Sequence, residues 1–570
     1  MAEARKAAAS LKIALAQINP TVGDVAGNVA RIKAARERAK DADLIVFPEL
    51  CVSGYPPEDL VFRPAFLDAV AAGVNALAAL TADGGPGLLV GAPWRGEARA
   101  NNESRDNDNA HNGVLLLDGG KIAGVRFKHH LPNYGVFDEY RVFAAGDMPG
   151  PMVFRSVRLG VMVCEDMWSE DVAETLMESG AELLIVPNGS PFELDKPDSR
   201  IGHAVARVTE TNLPLIYVNQ ICGQDDLVFD GGSFVLNRDR ALAVQMPWWR
   251  EDLVLTAWTF AEHGWTCAPQ TPAPQPERLE NVYQAMVLGL RDYVTKNKFP
   301  GVVLGLSGGI DSALAAAVAA DALGPARVHC VMMPSPYTSD DSLEDAAAVA
   351  KLLGVRLDEI DIGPAMQAYA NMLAPVFVGT SADITEENLQ SRARGMTLMA
   401  ISNKFGKMVL STGNKSEMST GYATLYGDMC GGYAVLKDVY KTTVFAVSRW
   451  RNTHKPEGSL GPNGAVMPER VITKPPTAEL KPNQKDQDTL PPYEELDGIL
   501  KCLIEGELGV EAVAAKGFDP ATVRRVYRML KTAEYKRRQA PPGVKITHIA
   551  FGRDYRYPIT NGFQDEGGVA

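Results

Sequence analysis

Short, continuous apolar runs alternate with helical stretches along most of this chain, and that alternation limits the possible folds more than any other feature. Runs such as LIVF at 44–47 and LLIV at 183–186 have no polar residue at alternate positions, so they read as strands buried on both faces. In the first part the candidate strands are 11–17, 43–49, 88–93, 113–117, 159–165, 182–188 and 215–220. A helical stretch at 25–40 separates the first two and sets Val29, Ile32, Ala35 and Ala39 on one side. Such alternation predicts α/β layers, and periodicity leaves open one sheet or two packed sheets. The second part has the same texture. Helices are expected at 278–297, 311–323, 340–353 and 386–405, and strands at 301–306, 328–333, 356–362 and 407–411. A run of βα units predicts a doubly wound parallel sheet. Residues 451–492, rich in Pro, Gly, Asn and Lys, read as a long loop, a length that is often functional.

The two parts meet at APQTPAPQP, residues 268–276, whose four prolines forbid helix and favour an extended spacer of about 3 Å per residue. The expected domains are 11–267 and 277–570 with this linker between them, and no repeat of solenoid length appears. The chain has 570 residues, enough for two large α/β domains and a sizeable core. Its net charge of −13, without a long basic run, argues against non-specific binding to nucleic acid or to an anionic membrane. There is no apolar run of transmembrane length, and 13–16 is too short for a signal-peptide core, so the Ala/Lys-rich 1–10 reads as a frayed tail. Seven cysteines, at 51, 164, 222, 267, 330, 430 and 502, form no CxxC pair. An odd, sparse set reads as reduced thiols in the cytoplasm.

LGLSGGIDS, residues 304–312, runs from an apolar strand through Ser307, Gly308 and Gly309 into a helix. Two glycines turn the backbone tightly and aim N–H groups inward, and the helix dipole adds to the anion site. The GK[ST] ending of a Walker A loop is absent. A bare GG reads as an ordinary βα turn; the full string between strand and helix reads as a phosphate loop. It resembles the signature of the ATP pyrophosphatases, which cleave ATP between its α- and β-phosphates. The rest of this half is similar to the NAD synthetases in ENLQSRAR (387–394), STGNKSE (411–417), YGD (426–428), LKDVYKT (436–442), 474–478 with 486–492, and 534–538. That resemblance implies ATP contacts from Gly305, Leu306, Ser307, Gly308, Gly309, Ile310, Asp311, Ser312, Thr412 and Lys441. It implies deamido-NAD contacts from Asn388, Arg392, Glu417, Asp428 and Lys536. Asp311 and Glu417, with Thr412 adding a hydroxyl, are the candidate ligands for Mg²⁺ as cofactor, being hard oxygen donors. Outside their motifs, each such charged residue reads as a solvated surface side chain.

In the first half, GVMVCEDMW (160–168) sets Cys164 at the end of an apolar run. A free cysteine there is commonly a buried structural one. FPEL (47–50) ends another strand with Glu49, and FKHHLPNY (127–134) places Lys128 before a proline-containing turn. Taken in order, the three strings resemble the nitrilase (carbon–nitrogen hydrolase) superfamily over about 11–260. The resemblance implies an αββα sandwich and a Glu49–Lys128–Cys164 triad, with Glu139 of VFDEYR as the second glutamate. In this reading Glu49 is the general base, Cys164 the nucleophile and Lys128 the oxyanion stabiliser, while Glu139 orients Lys128 or relays protons. Tyr134, Ser190 and Lys196 are the implied glutamine contacts, although the NGSP string at 188–191 fits a plain turn nearly as well.

An amidase that frees ammonia, joined to an ATP-dependent activator that needs a nitrogen nucleophile, resembles the glutamine-dependent NAD synthetase family. The implied reaction turns deamido-NAD, ATP and glutamine into NAD, AMP, pyrophosphate and glutamate, and the family implies a closed ammonia passage. Two other readings stand beside it. One is an amide ligase for a different carboxylate; the other is an ammonia-fed synthetase with a non-catalytic first half. The expected partners are small molecules, and a homo-oligomer without nucleic acid or membrane is expected.

Overall fold

The structure, a computed structural model of the chain, describes residues 10–96, 110–482 and 484–565. The stretch 1–9, most of the expected tail, lies outside the described residues. The chain forms two compact units, one of residues up to 224 with 228–276, the other of 225–227 with 277–570.

The strands up to the proline-rich stretch are β1 (Ser10–Gln17), β2 (Leu44–Val46), β3 (Gly87–Arg95), β4 (Ala110–Asp118), β5 (Lys121–Phe127), β6 (Met152–Phe154), β7 (Val157–Val161), β8 (Leu183–Asn188), β9 (Leu215–Asn219), β10 (Ile221–Gln224), β11 (Leu227–Asp230), β12 (Phe234–Leu236), β13 (Leu242–Gln245), β14 (Asp252–Ala261) and β15 (Gly264–Cys267). They build one sheet in the order β15-β14-β1-β2-β3-β4-β5 and a second in the order β13-β12-β9-β8-β7-β6, while β10 and β11 pair as a separate ribbon. Alternation within each strand shows how the sheets stack. Ile13 and Leu15 of β1, with Leu44 and Val46 of β2, share a buried cluster with Leu159 and Val161 of β7 and Ile185 of β8. Ala14 and Ala16, on the opposite face of β1, pack with Val29 and Ile32 of the helix Val25–Arg38 and with Val70 and Val74 of the helix Pro64–Leu80. Leu184 and Val186, on the opposite face of β8, pack with Leu176 and Val208 of the helices Glu170–Glu178 and Lys196–Thr211. The layers are therefore helix, sheet, sheet, helix. Continuous apolar runs are required because both strand faces are covered, and each fully buried aliphatic side chain contributes about 1.5–3 kcal/mol. Residues 64–83 are long and apolar enough to cross a membrane by length and composition, and here one face of the helix, with Leu67, Val70, Val74 and Leu77, is buried.

Two expectations are corrected here. The run 159–165 is not one strand: β7 ends at Val161, and Cys164 opens a 3₁₀ turn, Cys164–Met167, at φ +47°. The Asp166 carboxylate accepts the Val163 N–H at 3.0 Å while the Asp166 N–H donates to Val163 O, which closes a turn that a strand ladder cannot continue. The proline-rich stretch is extended but not a free spacer. Ala268, Gln270 and Ala273 donate backbone N–H groups to Ala257, Ala243 and Gln245 of β14 and β13.

The second unit holds a parallel sheet of β16 (Val302–Gly305), β17 (Val328–Met332), β18 (Arg356–Glu359), β19 (Met408–Ser411) and β20 (Tyr433–Ala434), in the order β18-β17-β16-β19-β20. The chain runs outward from β16 to β18 and then returns to β19 on the other side. The strand order therefore reverses between β16 and β19, and the crevice beyond their carboxyl ends is where doubly wound sheets take ligands. The long-loop expectation fails at its start. Arg451 lies in the helix Lys441–Thr453 and is fully buried, paired with Asp321 at 2.6 Å. Asp321 also accepts from the Tyr283 and Ser459 hydroxyls. Asn452 then pins the chain through Val466 and Met467, and a short helix, Glu469–Thr473, follows.

Removing one partner of a buried pair leaves the other charge uncompensated at a cost of about 3–5 kcal/mol. Asp321→Ala should destabilise the protein by about that amount in urea unfolding, and adding Arg451→Met should restore much of the loss. A double variant less stable than the single one would show that the pair is not the source.

Candidate active sites

In the first unit the site is assembled at strand ends of both sheets. Glu49 follows β2, Lys128 follows β5, Cys164 follows β7, and Gly189 and Ser190 follow β8. Glu139 opens the short helix Glu139–Val142. Lys128 Nζ lies 2.8 Å from Glu49 Oε1 and 2.9 Å from Glu139 Oε1, and all three side chains are buried. Burial alone would strip the ammonium of its proton, but Glu139 and Glu49 together outweigh it and hold Lys128 well above its ordinary range. Burial also pushes the Glu139 carboxyl up to about 7, against the pull of Lys128 and with the charge of Glu49 adding to the rise. Two carboxylates around one ammonium sum to −1, so a proton on Glu139 neutralises the cluster.

Glu49 is fixed on both oxygens. Oε1 also accepts Asn112 Nδ2 at 2.7 Å, and Oε2 accepts the Gly189 N–H at 2.8 Å. A Cβ at Gly189 would stand 3.0 Å from Glu49 Oε2 and 3.1 Å from the Tyr55 ring, so glycine lets the loop approach this closely. Tyr55 donates its hydroxyl to Glu139 Oε1 at 2.9 Å. Burial raises the Cys164 thiol well above its usual range; Glu49 adds to the rise and Lys128 opposes it. The resting thiol is therefore neutral, and a base must remove its proton before it attacks.

The glutamine candidates surround this cluster in two groups. Tyr134 donates its hydroxyl to Glu165 at 3.0 Å, and its ring meets Phe137 edge-on. Lys196 lies over the Phe137 ring at 5.3 Å. Ser190 is buried next to Gly189, where Arg200 donates to its hydroxyl at 3.1 Å and Asp230 pairs with Arg200 at 2.7 Å. Sequence reasoning missed Tyr55, Asn112, Glu165 and Asp166. The last two directly follow Cys164 inside the quoted string, and Asn112 lies one residue before the strand expected at 113–117.

In the second unit the loop after β16 and Thr412 after β19 line a cavity of about 290 Å³ at the strand-order reversal. Gly308 has φ +81°, and a Cβ there would fall 2.3 Å from Ser342 O, so no other residue fits. Within the loop, the Ser307 N–H donates to Ser312 Oγ at 3.2 Å, and the helix Ile310–Leu323 follows. Asp311, Glu417, Asp428 and Lys441 also line the cavity. Lys441 Nζ contacts Asp311 at 2.5 Å and Glu417 at 3.5 Å, and Asn414 donates to Asp311 at 2.8 Å. Burial pushes the Glu417 carboxyl up to about 8; Asp311 and Asp486 add to the rise against Lys441. Burial likewise raises Asp428 to about 6.

Asn388, Arg392 and Lys536 are not among the residues lining this cavity. Instead they hold one segment of backbone and side chain beside Asp428. Asn388 accepts the Thr424 hydroxyl, Arg392 donates to Leu425 O, and Lys536 donates to the carbonyls of Gly421 and Ala423.

The four-layer sandwich is a nitrilase-like domain, and the sheet with its glycine loop at the reversal is a synthetase-type domain, so the chain couples a hydrolase to a ligase. The carbon-nitrogen hydrolase family matches residues 12–263 and the NAD synthase family residues 282–540. The glutamine-dependent NAD(+) synthetase of Rhodobacter capsulatus is 50% identical over 558 residues, which cover 97% of this chain and 99% of that one. Its counterpart from Acinetobacter baylyi is 44% identical over 559 residues, 98% of this chain and 99% of that one. A solved structure of the glutamine-dependent NAD+ synthetase from Acinetobacter baumannii, in complex with adenosine diphosphate, is similar with a TM-score of 0.75 and 43% identity, over 97% of this chain and 99% of that chain. The chain belongs to the glutamine-dependent NAD synthetase family.

The raised Glu417 carboxyl has a consequence for stability. The folded protein keeps this proton up to about pH 8, whereas an unfolded glutamate releases it near 4.3. Its contribution is thus fully present below about pH 4.3 and is lost as pH rises through about 8. The melting temperature of Glu417→Gln minus that of the parent, without nucleotide or divalent cation, should therefore grow from about pH 5 to about pH 8. A difference that stays constant or shrinks would show that Glu417 ionises normally.

Proposed function

We propose that the two sites carry out the two halves of one reaction. The chain is a carbon–nitrogen ligase: it amidates deamido-NAD to NAD at the expense of ATP, with nitrogen from glutamine. The observation that carries the glutaminase half is the Lys128 ammonium held between Glu49 and Glu139 in the neighbourhood of the strained Cys164 turn.

In the first unit Glu49 takes the thiol proton as Cys164 Sγ attacks the glutamine amide carbon. Lys128 has three N–H groups and gives two to the carboxylates, leaving the third for the developing oxyanion. Glu49 returns the proton to the departing ammonia, and water then hydrolyses the thioester to glutamate. Tyr134, Ser190 and Lys196 hold the glutamine, with Glu165 available for its ammonium group.

In the second unit the loop from Gly305 to Ser312, with Thr412 and Lys441, holds ATP. The carboxylate of deamido-NAD attacks the α-phosphorus, pyrophosphate leaves toward the loop, and ammonia displaces AMP from the resulting adenylate. Asn388, Arg392, Asp428 and Lys536 shape the deamido-NAD side, Asp428 from the cavity wall and the other three through the 421–425 segment they brace. Asp311, Glu417 and Asp486 face one ammonium, Lys441, and this excess of carboxylate oxygen fits Mg²⁺. Asp311, Glu417 and Thr412 would hold the ion, which when bound neutralises charge on the phosphates. All seven cysteines are free, in keeping with a reducing cytoplasm. Exposed Met372, Val376, Val378 and Ile384 in the second unit support a homo-oligomer.

Cys164→Ala should abolish glutamine-dependent NAD formation and leave ammonia-dependent formation intact, whereas Asp311→Asn should suppress both, with AMP as the nucleotide product in the parent enzyme. The test is NAD formation with each donor at matched protein and pH. Equal loss with both donors in Cys164→Ala would remove the thiol from the mechanism.

A further inference from the structure

Asn112 stands on β4, and its carbonyl accepts the Lys128 N–H at 2.8 Å, so the backbone that carries this side chain also fixes the entry of the lysine loop. Its side chain is fully buried. Nδ2 donates to Glu49 Oε1 at 2.7 Å and reaches Glu139 Oε2 at 3.5 Å. Oδ1 is buried without a hydrogen-bond partner. An orphaned buried acceptor is unfavourable, and the opposite amide orientation would turn that oxygen onto two carboxylates, so the surrounding charges fix which way the amide points.

Counting lone pairs shows what this does to Glu49. Each carboxylate oxygen offers two acceptor directions. On Oε1 one is taken by Lys128 and the other by Asn112. On Oε2 one is taken by the Gly189 N–H. A single direction remains, on Oε2. Without Asn112, Oε1 would regain an open direction and compete for the proton.

We propose that Asn112 is a positioning residue for glutamine hydrolysis: by saturating Glu49 Oε1 it confines proton transfer to Oε2 and fixes the carboxylate in the orientation from which Oε2 meets the thiol proton. This rests on the reading of Glu49 as the base. Losing this donor leaves Oε1 open and the carboxylate free to turn, so the proton-transfer step slows while substrate binding is untouched.

The test uses the full-length enzyme with Asn112→Ala and Asn112→Leu, the second of similar volume and without a donor, which decides the matter if the alanine variant does not fold. In both, kcat with glutamine should fall by about tenfold to a hundredfold, since only part of a general base's contribution is lost. KM for glutamine should stay within about twofold, because no ground-state contact with the substrate is lost. NAD formation from ammonia should be unchanged. A higher KM with kcat preserved overturns the proposal, because it would make Asn112 a substrate contact. Equal loss with both nitrogen donors also overturns it. Glu49→Gln is the separate control: if that variant keeps glutamine use, the base assignment itself fails, whatever the Asn112 variants do.

Discussion

A lysine ammonium taken wholly out of water is tolerable only with opposite charge at hydrogen-bond distance, and the first unit is arranged around meeting that condition for Lys128. Glu49 and Glu139 supply it, at 2.8 and 2.9 Å. The two carboxylates must in turn be satisfied, and Asn112, Tyr55 and the Gly189 N–H do so. Each of these groups comes from a different strand end or loop. The cluster therefore ties β2, β4, β5 and the loop after β8 to one another, and none of its members is dispensable without leaving a buried charge or acceptor unmatched.

The second unit also centres on one lysine. Lys441 faces Asp311, Glu417 and Asp486; Asn414 donates to Asp311 and Tyr493 to Asp486, and burial, with the charges of Asp311 and Asp486 added, pushes Glu417 up to about 8. The first cluster is closed by protein groups and suited to moving a proton within a fixed frame. The second borders an open cavity whose remaining electrostatic demand is for cations and for the polyanion they accompany.

Much of this was legible in the residues themselves. Apolar runs marked strands such as β1, β3, β8 and β9 to within two residues, because burial on both faces leaves no room for polar alternation, whereas β5, β6 and β12 to β15 went unmarked. The helix Asp340–Leu353 was placed to the residue, since Ser339 caps it and Gly354 ends it. Cys164 was misplaced at a strand end because the turn depends on the Asp166 side chain folding back on Val163, a contact that has no periodicity. Arg451 was read as loop because its partner, Asp321, is 130 residues away. The triad residues stood out through their strings, whereas Asn112 and Tyr55 did not, because their roles exist only through the carboxylates they touch. Asn388, Arg392 and Lys536 bond to the 421–425 segment and do not line the cavity, an arrangement that no motif spacing signals.

The proposed base and nucleophile of the first unit stand on different sheets: Glu49 follows β2 in one, Cys164 follows β7 in the other. The layer between the sheets, with Val46, Val161 and Ile185, therefore acts as a spacer that sets the gap across which the proton and the sulfur must meet. Close-packed interiors transmit small changes in volume as displacement. A methyl group added or removed in that spacer, far from any reacting atom, thus becomes a means of tuning the rate of amide cleavage, and the enzyme's turnover a gauge of how its two sheets are seated.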